Sequence, residues 1–191
     1  MPSHPWPTRV HPFLVELTDQ MCQKYAIPQV RLARPYFGYR SDQEQAALYA
    51  QGRQPLYEVN LQRVRAGLTP ISESENKNTV TNARPGASKH NADPSRAVDL
   101  VVVSLVKGVQ YVWDEGADLD HNGVAEYMEL GVIGEGLGLV WGGRFDLDPG
   151  IRVKPDWGHF QLPEEGSKGL LAIIEKLAPD PAKAHGLEYA A

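Results

Sequence analysis

A chain of 191 residues is long enough to bury a core and short for two domains, so one domain is expected. Its net charge of -5, pI near 5.7 and scattered lysines and arginines exclude the basic footprint of a nucleic-acid binder. The single cysteine, Cys22, excludes an internal disulfide, and no apolar run is long enough to span a bilayer, so membrane insertion is not expected.

The opening MPSHPWPTRVHPF has no apolar stretch of signal-peptide type, which points to synthesis in the cytoplasm without that route of export. Pro12 to Ala26 reads as an amphipathic helix. Pro12 suits a first turn, and Leu14, Leu17, Met21 and Tyr25 recur at three- and four-residue spacing, with Cys22 packed among them. A short apolar segment, Val30 to Ala33, leads to a second helix in which Ser41 and Glu44 form a capping box and Gly52 supplies the stop. Gln54 to Thr79 is polar and reads as a long loop or lid with a short helix near Val59 to Ala66. Pro85 and Gly86 then mark a turn, after which Ser88 and His90 share a side if the piece is extended.

SKHNADPSRAVDL sets His90 and Asp99 at the mouth of the apolar run Val98 to Val103, the start of a metal site. A catalytic zinc usually takes three protein ligands and keeps a fourth position for water. His159, in KPDWGHFQL beside a short strand at Phe160 to Leu162, is the third candidate. His4, His11 and His185 lie near the termini, and His121 sits at a calcium-loop position that supplies no ligand. Asp156, in the same segment as His159, is placed to act as general base and then acid, whereas Asp146 and Asp148 read as turn residues. Arg40, just before the second helix, has two readings: a clamp on a substrate carboxylate or developing oxyanion, or a surface ion pair.

Downstream, DLDHNGVAEYME fits the calcium-loop template with Asp118, Asp120, Asn122, Val124 through its carbonyl, Glu126 and Glu129, and with Gly123 at the sharp turn. Both calcium binding and a solvated turn fit this pattern. A strand-like YVW precedes it, and a helix from about Ala125 to Gly136 follows. Ser167 to Leu177 is the last helix, with Leu170, Ile174 and Leu177 on one face, and residues 179 to 191 read as a flexible tail beyond a domain of residues 1 to 178.

Taken together, GYRSDQEQAALYAQGR, VTNARPGASKH, RAVDL, WGGRF and DWGHFQL resemble the zinc L-alanyl-D-glutamate peptidases, peptidoglycan-cleaving relatives of the D-alanyl-D-alanine carboxypeptidases. The resemblance runs from Gly38 to Leu162. It implies an α+β domain, helices packed on a mainly antiparallel sheet, with zinc in a surface groove. It implies that His90, Asp99 and His159 bind Zn2+, that Asp156 is the catalytic acid/base, and that Arg40, Ser88 and Trp157 meet the substrate. The activity implied is hydrolysis of the L-Ala to D-Glu bond of peptidoglycan by a monomeric endolysin of phage or prophage origin, released to the wall at lysis; Ca2+ as a second ion rests on the acidic loop alone. A D-alanyl-D-alanine carboxypeptidase and a non-catalytic zinc-binding module are the alternatives.

Two departures from the family pattern stand out. Asp93 and Pro94 lengthen the loop between His90 and Asp99, with Ser95 where glycine is usual, so the loop must bulge and Asp93 becomes a competing ligand. Gly158 replaces a proline before the last histidine, which should loosen that turn.

Overall fold

A computed structural model describes residues 9 to 147 and 155 to 177; His4, His185, Asp148 and the tail from 179 lie outside them. The first helix, α1 (Pro12–Tyr25), starts at Pro12 as expected, with the His11 ring accepting from the Phe13 amide, and buries Phe13, Leu14, Leu17, Met21 and Tyr25. Strand β1 (Arg31–Phe37) comes next. Helix α2 (Asp42–Ala50) carries the expected capping box, Ser41 and Glu44 satisfying each other's backbone amides. Gly52 stands beyond its end at φ 78, a left-handed conformation that glycine adopts without strain.

The polar stretch from Gln54 to Thr79 contains α3 (Leu56–Arg65), a full helix that starts three residues before the expected one. Hydrogen bonds pin the chain beyond this helix: Asn60 donates to the Ile71 carbonyl and accepts from the Ile71 amide, and Gln51 Nε2 donates to the Glu75 carbonyl.

Strand β2 (Ala97–Ser104) is the sheet's centre. It pairs with β1 along one edge, and along the other with β5 (His159–Gln161) and then β3 (Gln110–Val112). β4 (Val140–Trp141) pairs with β5, giving the order β1-β2-β5-β4 with every pair antiparallel. α4 (Glu126–Gly136) and α5 (Lys168–Leu177) complete the expected α+β domain. α5 turns Ile173 to the core, with Ile174 and Leu177 packed beside it, so its buried stripe is centred one residue away from the expected one.

Alternation along β2 separates two faces. Val98, Leu100 and Val102 enter the core with Leu14, Leu17 and Met21 of α1 and Leu130 of α4. Asp99, Val101 and Val103 point to the opposite face. That face carries the candidate site.

Candidate metal centre and its cleft

Asp99 pairs in register with His159 across β2 and β5, so an antiparallel ladder sets the two side chains side by side. His90 arrives from a different element. Ser88 to His90 is not extended, so the alternation an extended piece would give does not apply: Ser88 caps a 3-10 turn, Lys89–Asn91, and its hydroxyl accepts from the His90 amide at 3.3 Å. The turn rotates His90 inward, where it is buried, and leaves Ser88 on the cleft wall.

The three groups converge tightly. His90 Nε2 stands 3.2 Å from Asp99 Oδ1, His159 Nδ1 is 3.2 Å from the same oxygen, and the two ring nitrogens are 3.2 Å apart. A tetrahedral metal with ligands at about 2.0 Å would hold them about 3.3 Å apart, so the triangle has the right size. The outer ring nitrogens have partners of their own. His90 Nδ1 lies 2.7 Å from the Gly38 carbonyl, and His159 Nε2 lies 3.0 Å from Gln161 Oε1. Since those oxygens accept, each ring carries its proton outward and turns a lone pair inward. Two lone pairs and a carboxylate oxygen facing one another call for a cation.

Where no cation sits between them, ring protons would take its place against Asp99, so metal and protons compete for the same three groups. Burial by itself would raise the Asp99 pKa, but the charges of His90 and His159 and their hydrogen bonds hold it far below the usual carboxylate range. Burial likewise opposes charge on His159, yet its contact with Asp99 raises its pKa. His90, Asp99 and His159 form a set that could hold a metal ion.

The long loop does not disturb this set. Asp93 faces away, with Arg9 Nε donating to it at 2.9 Å, and so is removed from competition as a ligand. The Asp93–Pro94 peptide is cis, and Ser95 is stitched to the N-terminal segment by its amide to the Arg9 carbonyl and its carbonyl to the His11 amide. The two extra residues are absorbed away from the metal set. Gly158 also has a specific role: a Cβ there would lie 2.7 Å from the Leu100 carbonyl oxygen, while the Leu100 amide donates to the Gly158 carbonyl. Close packing, not looseness, characterises that turn.

Asp156 precedes this turn, its amide donating to the Gly142 carbonyl and its carbonyl accepting from the His159 amide. Burial in the cleft and the charge of Asp99 raise its pKa, against the opposing charges of His159, His90 and Arg40. Arg40 also joins the site: Nη2 is 3.5 Å from Asp99 Oδ2, and Nη1 donates to Gln45 Oε1 at 2.9 Å. The backbone locks it there, with the Arg40 amide on the His90 carbonyl and Asn91 Nδ2 on the Arg40 carbonyl. Trp157 is half-buried, packed edge-on to Trp141, and shows its remaining surface to the cleft.

Two glutamines were missed in the sequence. Gln161 orients His159, and two-residue alternation along β5 was the available signal for it. Gln45, fully buried in α2, orients Arg40 while donating to the Ala83 carbonyl, and no local pattern marks it.

The calcium-type loop keeps the shape of its template. Asp118 accepts from the Asn122 and Gly123 amides, and Gly123 has φ 86. Asp118, Asp120 and Glu126 stand close enough together to hold a metal ion. Arg31, however, stands among the carboxylates. It bonds Glu126 and Glu129 and lies 3.3 Å from Asp120, while Asn122 Nδ2 donates to Glu129.

No family model matches the chain. Among curated proteins it is 28% identical over 155 residues to the peptidoglycan L-alanyl-D-glutamate endopeptidase CwlK of Bacillus subtilis, an alignment covering 80% of this chain and 78% of that protein. The chain is thus similar to a cell-wall endopeptidase over most of both lengths.

Proposed function

We propose that this protein is a zinc-dependent endopeptidase that hydrolyses the L-Ala to D-Glu bond of peptidoglycan stem peptides. The observation that carries the reading is the triangle of His90 Nε2, Asp99 Oδ1 and His159 Nδ1, with 3.2 Å edges, beside Asp156 and Arg40. Two imidazoles and a carboxylate suit zinc, and three ligands leave a position open. When bound, zinc supplies Lewis acidity that polarises a carbonyl and makes water acidic near neutral pH.

The remaining work falls to the chain's own residues. Asp156, with its raised pKa, takes the proton of the attacking water and delivers it to the departing amine nitrogen. Arg40, held by Gln45, offers its guanidinium to the negative charge that develops on the scissile carbonyl oxygen or to a substrate carboxylate. Similarity to CwlK supports peptidoglycan as the substrate.

The test is digestion of purified walls followed by mass spectrometry of the muropeptides. New amino-terminal D-glutamate with L-alanine left on the glycan side is the expected product. Free D-alanine would instead mark a carboxypeptidase. Asp156→Ala should keep its zinc and lose on the order of 10²- to 10⁴-fold in rate, the range of general acid–base contributions; full activity in that variant would refute the assignment.

A further inference from the structure

Four aromatic rings lie outside the core, on the sheet face that bears the metal set. Tyr111 pairs with Val103, whose side chain shares the face of Asp99, and Trp113 is two residues farther along the same side. The β1–β2 register shifts between Pro35 and Phe37, so that Phe37 stands opposite Asp99 and Tyr36 is the extra residue. Tyr36 is the hub, with ring centroids 4.5 Å from Phe37, 5.9 Å from Tyr111 and 5.0 Å from Trp113, each edge to face. Despite this mutual packing the four remain 42%, 51%, 45% and 56% exposed for Tyr36, Phe37, Tyr111 and Trp113.

Exposed rings held rigid against one another leave apolar faces in water, an arrangement that usually marks a binding surface. Phe37 and Trp113 border the same cleft as His90, Asp99, Asp156 and His159, so a ligand in the cleft continues onto the rings. Arg34, also on this face by its pairing with Val101, has a guanidinium that makes no hydrogen bond or ion pair among the described residues. Flat rings that take C–H faces, beside a guanidinium that can donate to hydroxyl and carbonyl oxygens, match the chemistry of a pyranose.

We propose that Tyr36, Phe37, Tyr111 and Trp113 form a glycan subsite that stacks on the N-acetylated aminosugars carrying the stem peptide. This rests on the peptidase reading for its substrate, but not for its first test. The full chain, loaded with metal, is titrated calorimetrically with chitotetraose, a peptide-free N-acetylglucosamine oligomer. Saturable binding is expected, weakened about tenfold by Trp113→Ala, in line with stacking on a single ring, and much less by Trp113→Phe. Absence of binding, or binding that Trp113→Ala and Tyr36→Ala both leave intact, overturns the subsite. Dimerisation that Trp113→Ala abolishes, without sugar binding, assigns the rings to a second copy and also overturns it.

The second test compares cleavage of a disaccharide-linked stem peptide with that of the sugar-free peptide. In Trp113→Ala the loss in kcat/KM should be about tenfold larger on the glycosylated substrate and be carried by KM. Equal losses would make Trp113 a wall of the peptide site and overturn the glycan assignment. If the wild-type protein cleaves neither substrate, the peptidase reading fails, while chitotetraose binding still decides the subsite.

Discussion

Gln161 Oε1, 3.0 Å from His159 Nε2, decides which nitrogen of His159 faces the metal set. Gln161→Leu removes that acceptor and frees the ring to carry its proton on either nitrogen. Metal affinity should fall about 10- to 100-fold, as for other partners of ligating histidines, with the fold intact; competition against a chelator reads this directly. A second residue-scale prediction concerns Cys22. Burial, aided by Asp19, pushes its thiol up to about 12 from 9.0, so it stays neutral when folded and ionises first when unfolded. Its contribution is complete below pH 9 and is lost as pH rises toward 12. Melting temperature measured from pH 8 to 10.5 should fall more steeply for wild type than for Cys22→Ala, and labelling by a thiol reagent at pH 8 should be slow until denaturant is added. Parallel melting profiles would remove this account.

At the scale of elements, how much was legible depended on whether the signal was local. α1, α2, α4 and β2 announced themselves through spacing, capping and apolar runs, and the residues of the candidate metal set were legible because His, Asp and His each sat beside such an element. The 3-10 turn at Lys89–Asn91 was not legible, since three residues carry no periodicity and its cause lies in contacts with Gly38 and Arg40. Nor was the fate of the longer loop, because the partners of Asp93 and Ser95 are some 84 residues away in the N-terminal segment. Glycines in α4 illustrate the same limit. Gly134 lowers helix propensity, yet a Cβ there would lie 2.6 Å from the Phe160 ring and 2.9 Å from Met21 Sδ. Gly134→Ala sets a propensity gain of about 1 kcal/mol against overpacking of about 1–3 kcal/mol in a rigid core. The second should win. A drop of a few degrees in melting temperature is expected, about 2–4 °C per kcal/mol at this length, and a rise would mean that Phe160 yields freely.

For the whole molecule, Arg31 joins parts that are far apart in sequence. From β1 it reaches Glu126 and Glu129 of α4 and Asp120 of the acidic loop, with its guanidinium 4.5 Å from the Tyr25 ring centroid of α1. Glu126 is fully buried and also accepts from Tyr25 Oη and the Leu119 amide, so its charge has partners on three sides. Arg31 Nε, by contrast, is a buried donor with no partner among the described residues, so the network is not fully satisfied there. Removing the guanidinium would leave a buried carboxylate without its cation, a change that costs about 3–5 kcal/mol in comparable pairs, more than the lost packing of the arginine stem. Arg31→Met should therefore unfold at markedly lower denaturant, while Arg31→Met with Glu126→Gln recovers part of the loss. The same variant separates the two readings of the acidic loop. If Asp118, Asp120, Glu126 and Glu129 bind calcium, the ion and Arg31 compete for the same negative charge, and millimolar calcium should raise the melting temperature of Arg31→Met more than that of wild type. If calcium leaves both proteins unmoved, the loop is a turn whose cation is an arginine.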